Sequence, residues 1–468
     1  NRKGYDGTGV KVAVIDTGVS LTHPATRHMR LDSVMLQVHD ENGHGCVHPE
    51  TFVCTTHCGI EKVEDLWREL EKEYASVRNG EWDVIKLDKP IETFSLDGYR
   101  VVRSKITEVY RLKYKGKLVR ITTKNGNSIL LTPWHPTFII KDGVIEEVRA
   151  DNIGIGDKIV IPYMLDENKN IIEKWDYKRI YLNGHGFDLT PKIVWAIGMF
   201  LGDGWISPRK NYYEIRIYTY DRELLEKFAG VVEKYASSVR IKEEEGYLVA
   251  YGKLIWGFFE KVVGIVKGKD RRVPKVIATA QEPIVGAFLA GLFDAEGHVD
   301  DRCSVRYATR SKRLAEELIF LLSRVGINAK LRKNKHRDGC IDYQVDIGGR
   351  YNIFRFIELT KNYLTHRDKV EKLKDVFWRS KTWGVKEIYN GISVDIVSSI
   401  ETVDYEGYMY DFHVPKYNNY IAGTHGCLFV HNTWCSACVG AKRVRDERLS
   451  RKIGRDVWTE GMAPNAIV

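Results

Sequence analysis

The chain has 468 residues, 43% of them hydrophobic and 29% charged, with 72 Lys and Arg against 63 Asp and Glu for a net charge of +9. That length predicts two to four domains rather than one core, in a composition ordinary for soluble globular protein. It excludes a disulfide scaffold, with eight cysteines so diluted, and a membrane span or signal peptide, because no apolar run is long enough.

The positive balance favours an anionic partner. The chain opens at Asn1 without a methionine, which reads as a fragment or a processed product. Residues 1–45 give one clear strand, 11–15, ending on Asp16 with a turn at Gly18. From Cys46 to about Pro162 the signals are mostly strand. Short β-branched and aromatic runs such as 118–122 and 128–131 are separated by turn residues, here Asn125-Gly126. One amphipathic helix is predicted over 63–74, with Leu66, Trp67, Leu70 and Tyr74 at helical spacing.

Between about 190 and 375 the sequence repeats itself. Apolar helices over 193–204 (IVWAIGMFLGDG) and 284–297 (IVGAFLAGLFDAEG) each follow a proline, Pro191 and Pro283, and each ends in an acid followed by glycine. Alternating strands over 214–218 and 304–307 come next. Helices opened by Asp221 and Ser311 follow, with Leu224, Leu225, Phe228 and Val232 on one face and Leu314, Leu318, Leu321 and Val325 on the other's. An acid at a helix end, a basic strand and a capped helix, twice in the same order, predict a duplicated domain with pseudo-twofold symmetry. After about 385 strands return, over 393–403 and 408–414. The fold class expected is multidomain. A mainly-β domain over 46–165 and 386–432 is split by an α/β two-repeat domain over 186–385, with host flanks at 1–45 and 433–468.

The chemistry starts at His431-Asn432-Thr433. Asn432 can attack its own backbone carbonyl with its side-chain amide and break the bond that follows it. His431 can protonate the departing amine, and the Thr433 hydroxyl can receive an acyl group. Far upstream, in Gly45-Cys46, a thiol follows a carbonyl that no side chain shields. A nucleophilic Cys46 must be a free thiol able to ionise, which requires a reducing, intracellular setting before any export.

The flanks carry a resemblance. VAVIDTGV at 12–19 and NGHG at 42–45 resemble the Asp and His motifs of subtilisin-like serine proteases, a family that continues its His motif with Thr. Removing 46–432 restores His44-Gly45-Thr433, and GMAPNA at 461–466 resembles a later segment of that family. The inserted segment therefore resembles an intein, a self-excising protein with a Hint-type splicing domain. That resemblance implies that Cys46 attacks the Gly45 carbonyl and that Thr433 then takes the acyl group. Asn432 cyclises beside His431, and the host segments are joined without a cofactor. Thr132-Pro133-Trp134-His135 matches the Thr-x-x-His block, with His135 at the scissile nitrogen and Thr132 helping to hold it. Asp411 fits the acid that coordinates these steps. Asn418 stands where the family often has histidine, and His413 is the candidate substitute.

LAGLFDAEG at 289–297 and AIGMFLGDG at 196–204 resemble the paired motifs of LAGLIDADG homing endonucleases. The resemblance implies that small residues Gly198, Gly202, Gly286, Ala290 and Gly291 let two helices touch. Asp203 and Glu296 then converge to hold Mg2+ against the phosphates of double-stranded DNA. Arg302, Ser304, Arg306 and Arg310 share one side of a strand, with Cys303, Val305, Tyr307 and Thr309 on the other; a solvated face reads the same way. Arg216 belongs to the matching strand. Arg271, with Lys269 displaced beside it, stands where that family often has an active-site lysine. A monomer with no membrane partner is expected.

In the host, the subtilisin-like resemblance implies that Asp16 and His44 are two members of a Ser-His-Asp triad. No nucleophile motif occurs downstream and Trp434 departs from the family, so this chain is not expected to be a protease; the mature host can be a secreted one. Cys54, His57, Cys58, Cys435 and Cys438 invite a zinc reading, but no second pair has finger-like spacing and unliganded thiols are favoured. Two rivals stay open, a protease with an inert insertion and a DNA-binding protein without nuclease function.

Overall fold

The computed structural model describes residues 45–432 except 58, 80–81, 164–178, 183, 210–211, 265–267, 301–302, 337–338 and 385–390. The expectations for Asp16, His44, Thr433, Arg302, Cys58, Cys435 and Cys438 fall outside the described residues.

A 12-stranded sheet dominates the first and last parts of the described chain. Two strands far longer than the sequence signals suggested organise it, Arg100–Thr123 and Ile392–His413, paired antiparallel from Val397 opposite Thr123 to His413 opposite Glu108. The runs at 118–122, 393–403 and 408–414 are pieces of these two. Their middles are charged and solvated, as where Lys115 meets Glu406 at 2.8 Å, so hydrophobic alternation fades while the backbone ladder continues. The helix Val63–Glu73 forms as its spacing predicts and buries Val63, Leu66, Trp67 and Leu70. The Asn125-Gly126 turn also forms, with Gly126 at φ 93°.

The two ends of this part meet. Phe52–Thr55, just after Cys46, pairs with Asn419–Gly423, which pairs with Leu428–His431, so one strand lies between them. Val430 in turn sits opposite Thr137 in the strand Pro136–Lys141. The α/β segment leaves and re-enters through adjacent positions, because Pro162 is the ladder partner of Ile392.

Within the α/β segment two four-stranded sheets have the same order. One is Gly204–Ile206, Glu214–Tyr218, Tyr247–Tyr251 and Ser238–Lys242; the other is Gly297–Asp300, Ser304–Thr309, Ile341–Gly348 and Lys330–Lys335. The caps work as expected: Asp221 accepts from the Leu224 amide and Ser311 from the Leu314 amide, both at 3.1 Å. The helices Pro191–Asp203 and Glu282–Glu296 pack backbone to backbone. A Cβ on Gly198 would lie 2.2 Å from the Phe288 carbonyl oxygen, and one on Gly291 2.0 Å from that of Trp195. Gly286 differs from expectation, since its face meets Leu359 of the helix Arg350–Thr360.

One apolar core runs from Phe52, Phe94 and Phe429 of the large sheet into both long helices. A charged cluster ties the same junction. Arg272 reaches buried Glu61 at 2.9 Å, and Arg313 binds Glu61, Asp65 at 3.0 Å and buried Glu317 at 2.8 Å.

Candidate functional site

Cys46 is fully buried at the start of the large sheet, fixed by reciprocal backbone bonds between Val47 and Tyr410. Its amide donates to the Thr132 hydroxyl at 3.0 Å, and its carbonyl accepts from the Thr132 amide at 3.1 Å. Thr132 thus holds the scissile nitrogen, with His135 also beside the Cys46 backbone. The His135 ring is wholly enclosed beside the backbone of both Cys46 and His431, and neither ring nitrogen completes a well-formed hydrogen bond. Burial, then the nearby His431, lowers its pKa to about 3, so the imidazole is neutral at rest.

Burial also pushes the Cys46 thiol well up, and the Asp411 carboxylate beside it adds to the effect. A resting thiolate is therefore excluded, contrary to the simplest expectation for a nucleophile. Asp411 is buried on the long strand and accepts from the Tyr420 hydroxyl at 3.4 Å. At the far end His431 is lowered by burial, against the pull of Glu147, whose carboxylate lies 3.6 Å from Nε2. The Asn432 amide donates to the Asn418 carbonyl at 2.8 Å, while its side-chain oxygen is buried without a partner among the described residues. Asn418 therefore contributes through its backbone. His413 is engaged elsewhere, with Nδ1 2.9 Å from the Thr107 hydroxyl.

A second constellation lies where the two long helices end. Asp203 and Glu296 share a hydrogen bond there, and burial followed by Glu296 raises Asp203 to about 7. Arg271 approaches this pair but does not stand free. Its guanidinium donates to the carbonyls of Leu201, Gly202 and Gly204, closing the end of the first helix. Lys369, which the sequence reading missed, does the same for the second helix, donating to Phe293 at 3.1 Å and Asp294 at 3.0 Å. Its place in a polar helix, Arg367–Arg379, gives no sequence signal; only the pseudo-symmetry with Arg271 points to it. Tyr307 also faces both acids, its hydroxyl pushed up by burial and then by Glu296.

The basic residues fare unevenly. Arg216 is paired with buried Glu214 and stacked against Trp205 and Tyr247. Arg306 is paired with Asp300, Asp346 lying 3.8 Å away, so neither it nor Arg216 is the unpaired cation that alternation suggested. Arg310 lies exposed beyond the strand's end, and Lys269 is exposed in a short turn of 3-10 helix. Among the described residues no group of three or more His, Cys, Asp or Glu is placed to hold a metal ion. Cys54 is buried in the apolar core.

The family model described as "Intein splicing domain" matches residues 60–432. A component of the A-type ATP synthase of Pyrococcus abyssi is 27% identical over 379 residues, covering 75% of this chain and 36% of that protein. The DNA polymerase of Thermococcus litoralis is 26% identical over 324 residues, covering 60% and 18%. The chain thus spans about a third or less of the length of these curated relatives. Neither is a protease, so they lend the subtilisin-like reading of the flanks no support. Among solved structures, I-DmoI in complex with DNA and Mn is 18% identical, covers 38% of this chain and 99% of its own, and has a TM-score of 0.30, too low to carry an argument.

Proposed function

The chain belongs to the intein splicing domain family, and from that premise we propose that residues 46–432 excise themselves and join Gly45 to Thr433. The thiol sulfur of Cys46 attacks the Gly45 carbonyl as Asp411 takes its proton. The C–N bond to Cys46 breaks, that proton passes on through the His135 imidazole to the released nitrogen, and a thioester results. The Thr433 hydroxyl displaces the sulfur, returning a proton to it. The Asn432 side-chain amide then closes on its own carbonyl, and the freed Thr433 amine takes a proton through His431. That amine recaptures the acyl group from its own hydroxyl, leaving an ordinary peptide bond. The observation that supports this reading is the seating of the Cys46 amide on Thr132, with the His135 ring enclosed between the backbones of Cys46 and His431. Expression followed by a denaturing gel tests it: a ligated host peptide beside free 46–432 is expected, abolished by Cys46→Ala. A persistent full-length band from the unsubstituted chain would end the proposal and favour the inert-insertion rival.

The domain boundaries belong to the same proposal: 46–165 and 386–432 for splicing, 186–385 for a Mg2+-dependent cut in double-stranded DNA. Two adjoining carboxylates, one of them raised to about 7 by burial and then by the other, are hard oxygen donors suited to that cation. When bound it supplies charge neutralisation and an acidified water. Arg271 and Lys369 fix the helix ends that carry the acids and keep positive charge beside them. Incubation with Mg2+ and DNA spanning the uninterrupted host site should give cut product. Bound but uncut DNA would replace this reading by the DNA-binding rival. The protease reading of the flanks rests on residues 12–19, 42–45 and 461–466 alone.

A further inference from the structure

A groove of about 960 Å³ does not belong to either constellation. One wall comes from the second repeat's sheet, with Lys330 and Arg332, and the other from the large β sheet, with Lys124 and Lys158. Lys381 lies on its rim, and these lysines are exposed. The two carboxylates that line it are already occupied: Asp346 binds Arg332 at 2.6 Å, and Asp395 accepts from Asn125 at 2.8 Å and Asn127 at 3.0 Å. The net field of the groove is therefore positive.

Its walls are also held in register. The turn at Gly126 packs on Lys330, whose Cγ lies 3.4 Å from where a Cβ would stand, and Asn127 donates to buried Asn328 at 3.4 Å. Strand alternation places Lys330 and Arg332 opposite to Leu331, which packs into the core, so they face outward with the sheet's polar side. A polyanion lying along that side would meet Lys124 and Lys158 next.

We propose that the splicing part of this chain contributes to nucleic-acid binding, with Lys124 and Lys158 contacting phosphates of the DNA duplex that lies on the second repeat. This rests on the DNA reading above, and supplies to one half of the duplex a basic wall that the α/β segment alone does not have. It makes binding a property of the joined molecule rather than of the inserted segment.

The test uses the full chain and a labelled mixed-sequence DNA duplex, titrated by fluorescence anisotropy at several salt concentrations. Lys124→Ala with Lys158→Ala should lower the magnitude of the log–log salt slope by about 2, at about 0.9 per lost phosphate contact. Lys115→Ala with Lys117→Ala removes the same charge from the exposed middle of the long strand Arg100–Thr123, outside the groove, and should leave the slope in place. Melting curves of both variants report folding. Equal slopes for the two variants and the parent would overturn the inference while leaving the DNA reading intact; so would an equal fall in both variants, which would mark a mere net-charge effect. A parent chain that fails to bind even at low salt would overturn the DNA reading itself.

Discussion

Gly291→Ala tests the packing that brings the two acids together. The new Cβ would lie 2.0 Å from the Trp195 carbonyl oxygen, 2.8 Å from its carbon and 3.0 Å from the Met199 nitrogen, all backbone atoms that cannot rotate away. The helices must part by more than an ångström to reach ordinary contact, and overpacking of this kind costs about 1–3 kcal/mol. Against it stands the gain of about 1 kcal/mol for alanine over glycine within a helix. A net loss of up to about 2 kcal/mol is expected, together with a fall of roughly a hundredfold in any DNA cleavage, because an ångström's misplacement of reacting groups has that effect. Gly230→Ala, in the helix Arg222–Val232 with nothing within 4 Å of the added carbon, should gain up to about 1 kcal/mol. Urea unfolding midpoints compared at a common slope measure both. If Gly291→Ala matched Gly230→Ala in sign, the close helix contact would be refuted.

Other expectations follow from the same geometry. Thr132→Ala removes the acceptor of the Cys46 amide and should slow the first acyl shift roughly tenfold, from the loss of about 1–2 kcal/mol; hydroxylamine-induced release of the N-terminal flank measures it, and an unchanged rate would deny Thr132 its part. Asp203, raised to about 7 when folded against 3.8 for the free group, holds a proton that the unfolded chain releases. Metal-free stability should therefore fall as pH rises from about 4 to 7. Asp203→Asn should flatten that part of the melting profile, and a profile identical to the parent's would show that Asp203 does not titrate there. Arg313→Ala leaves buried Glu61 and Glu317 with Arg272 as their remaining guanidinium and should cost about 2 kcal/mol, whereas Arg68→Ala, on an exposed helix face, should cost less than about 0.5 kcal/mol. Equal losses would mean that the junction cluster is no more than a surface ion pair.

Much of the local structure was legible because its signals are local. The caps at Asp221 and Ser311 and the helix from Val63 all follow from side chains within a turn or two of one another. What escaped was set by partners far away in sequence. Arg306 alternates like a free cation, but Asp300 and Asp346 on neighbouring strands neutralise it. Arg271 and Lys369 serve carbonyls of helices that they do not precede. The charged middle of the two long paired strands reads as loop, since only its backbone partner across the ladder makes it a strand. At the acyl-transfer site, the residue types were readable from order and spacing, while the neutral state of the Cys46 thiol follows from enclosure that no motif encodes.

The pairing of Pro162 with Ile392 has an evolutionary consequence. Whatever lies between those two positions departs and returns across a single rung, so its length makes no demand on the ladder that carries the acyl chemistry, even though one of its faces packs on that scaffold. A segment could be acquired, exchanged or shed there in one genetic event, leaving only a short connection to close. What such a loss would uncover is the greasy seam around Phe52 and Phe429, and that patch is where compensating polar substitutions should accumulate in chains that have dispensed with the passenger.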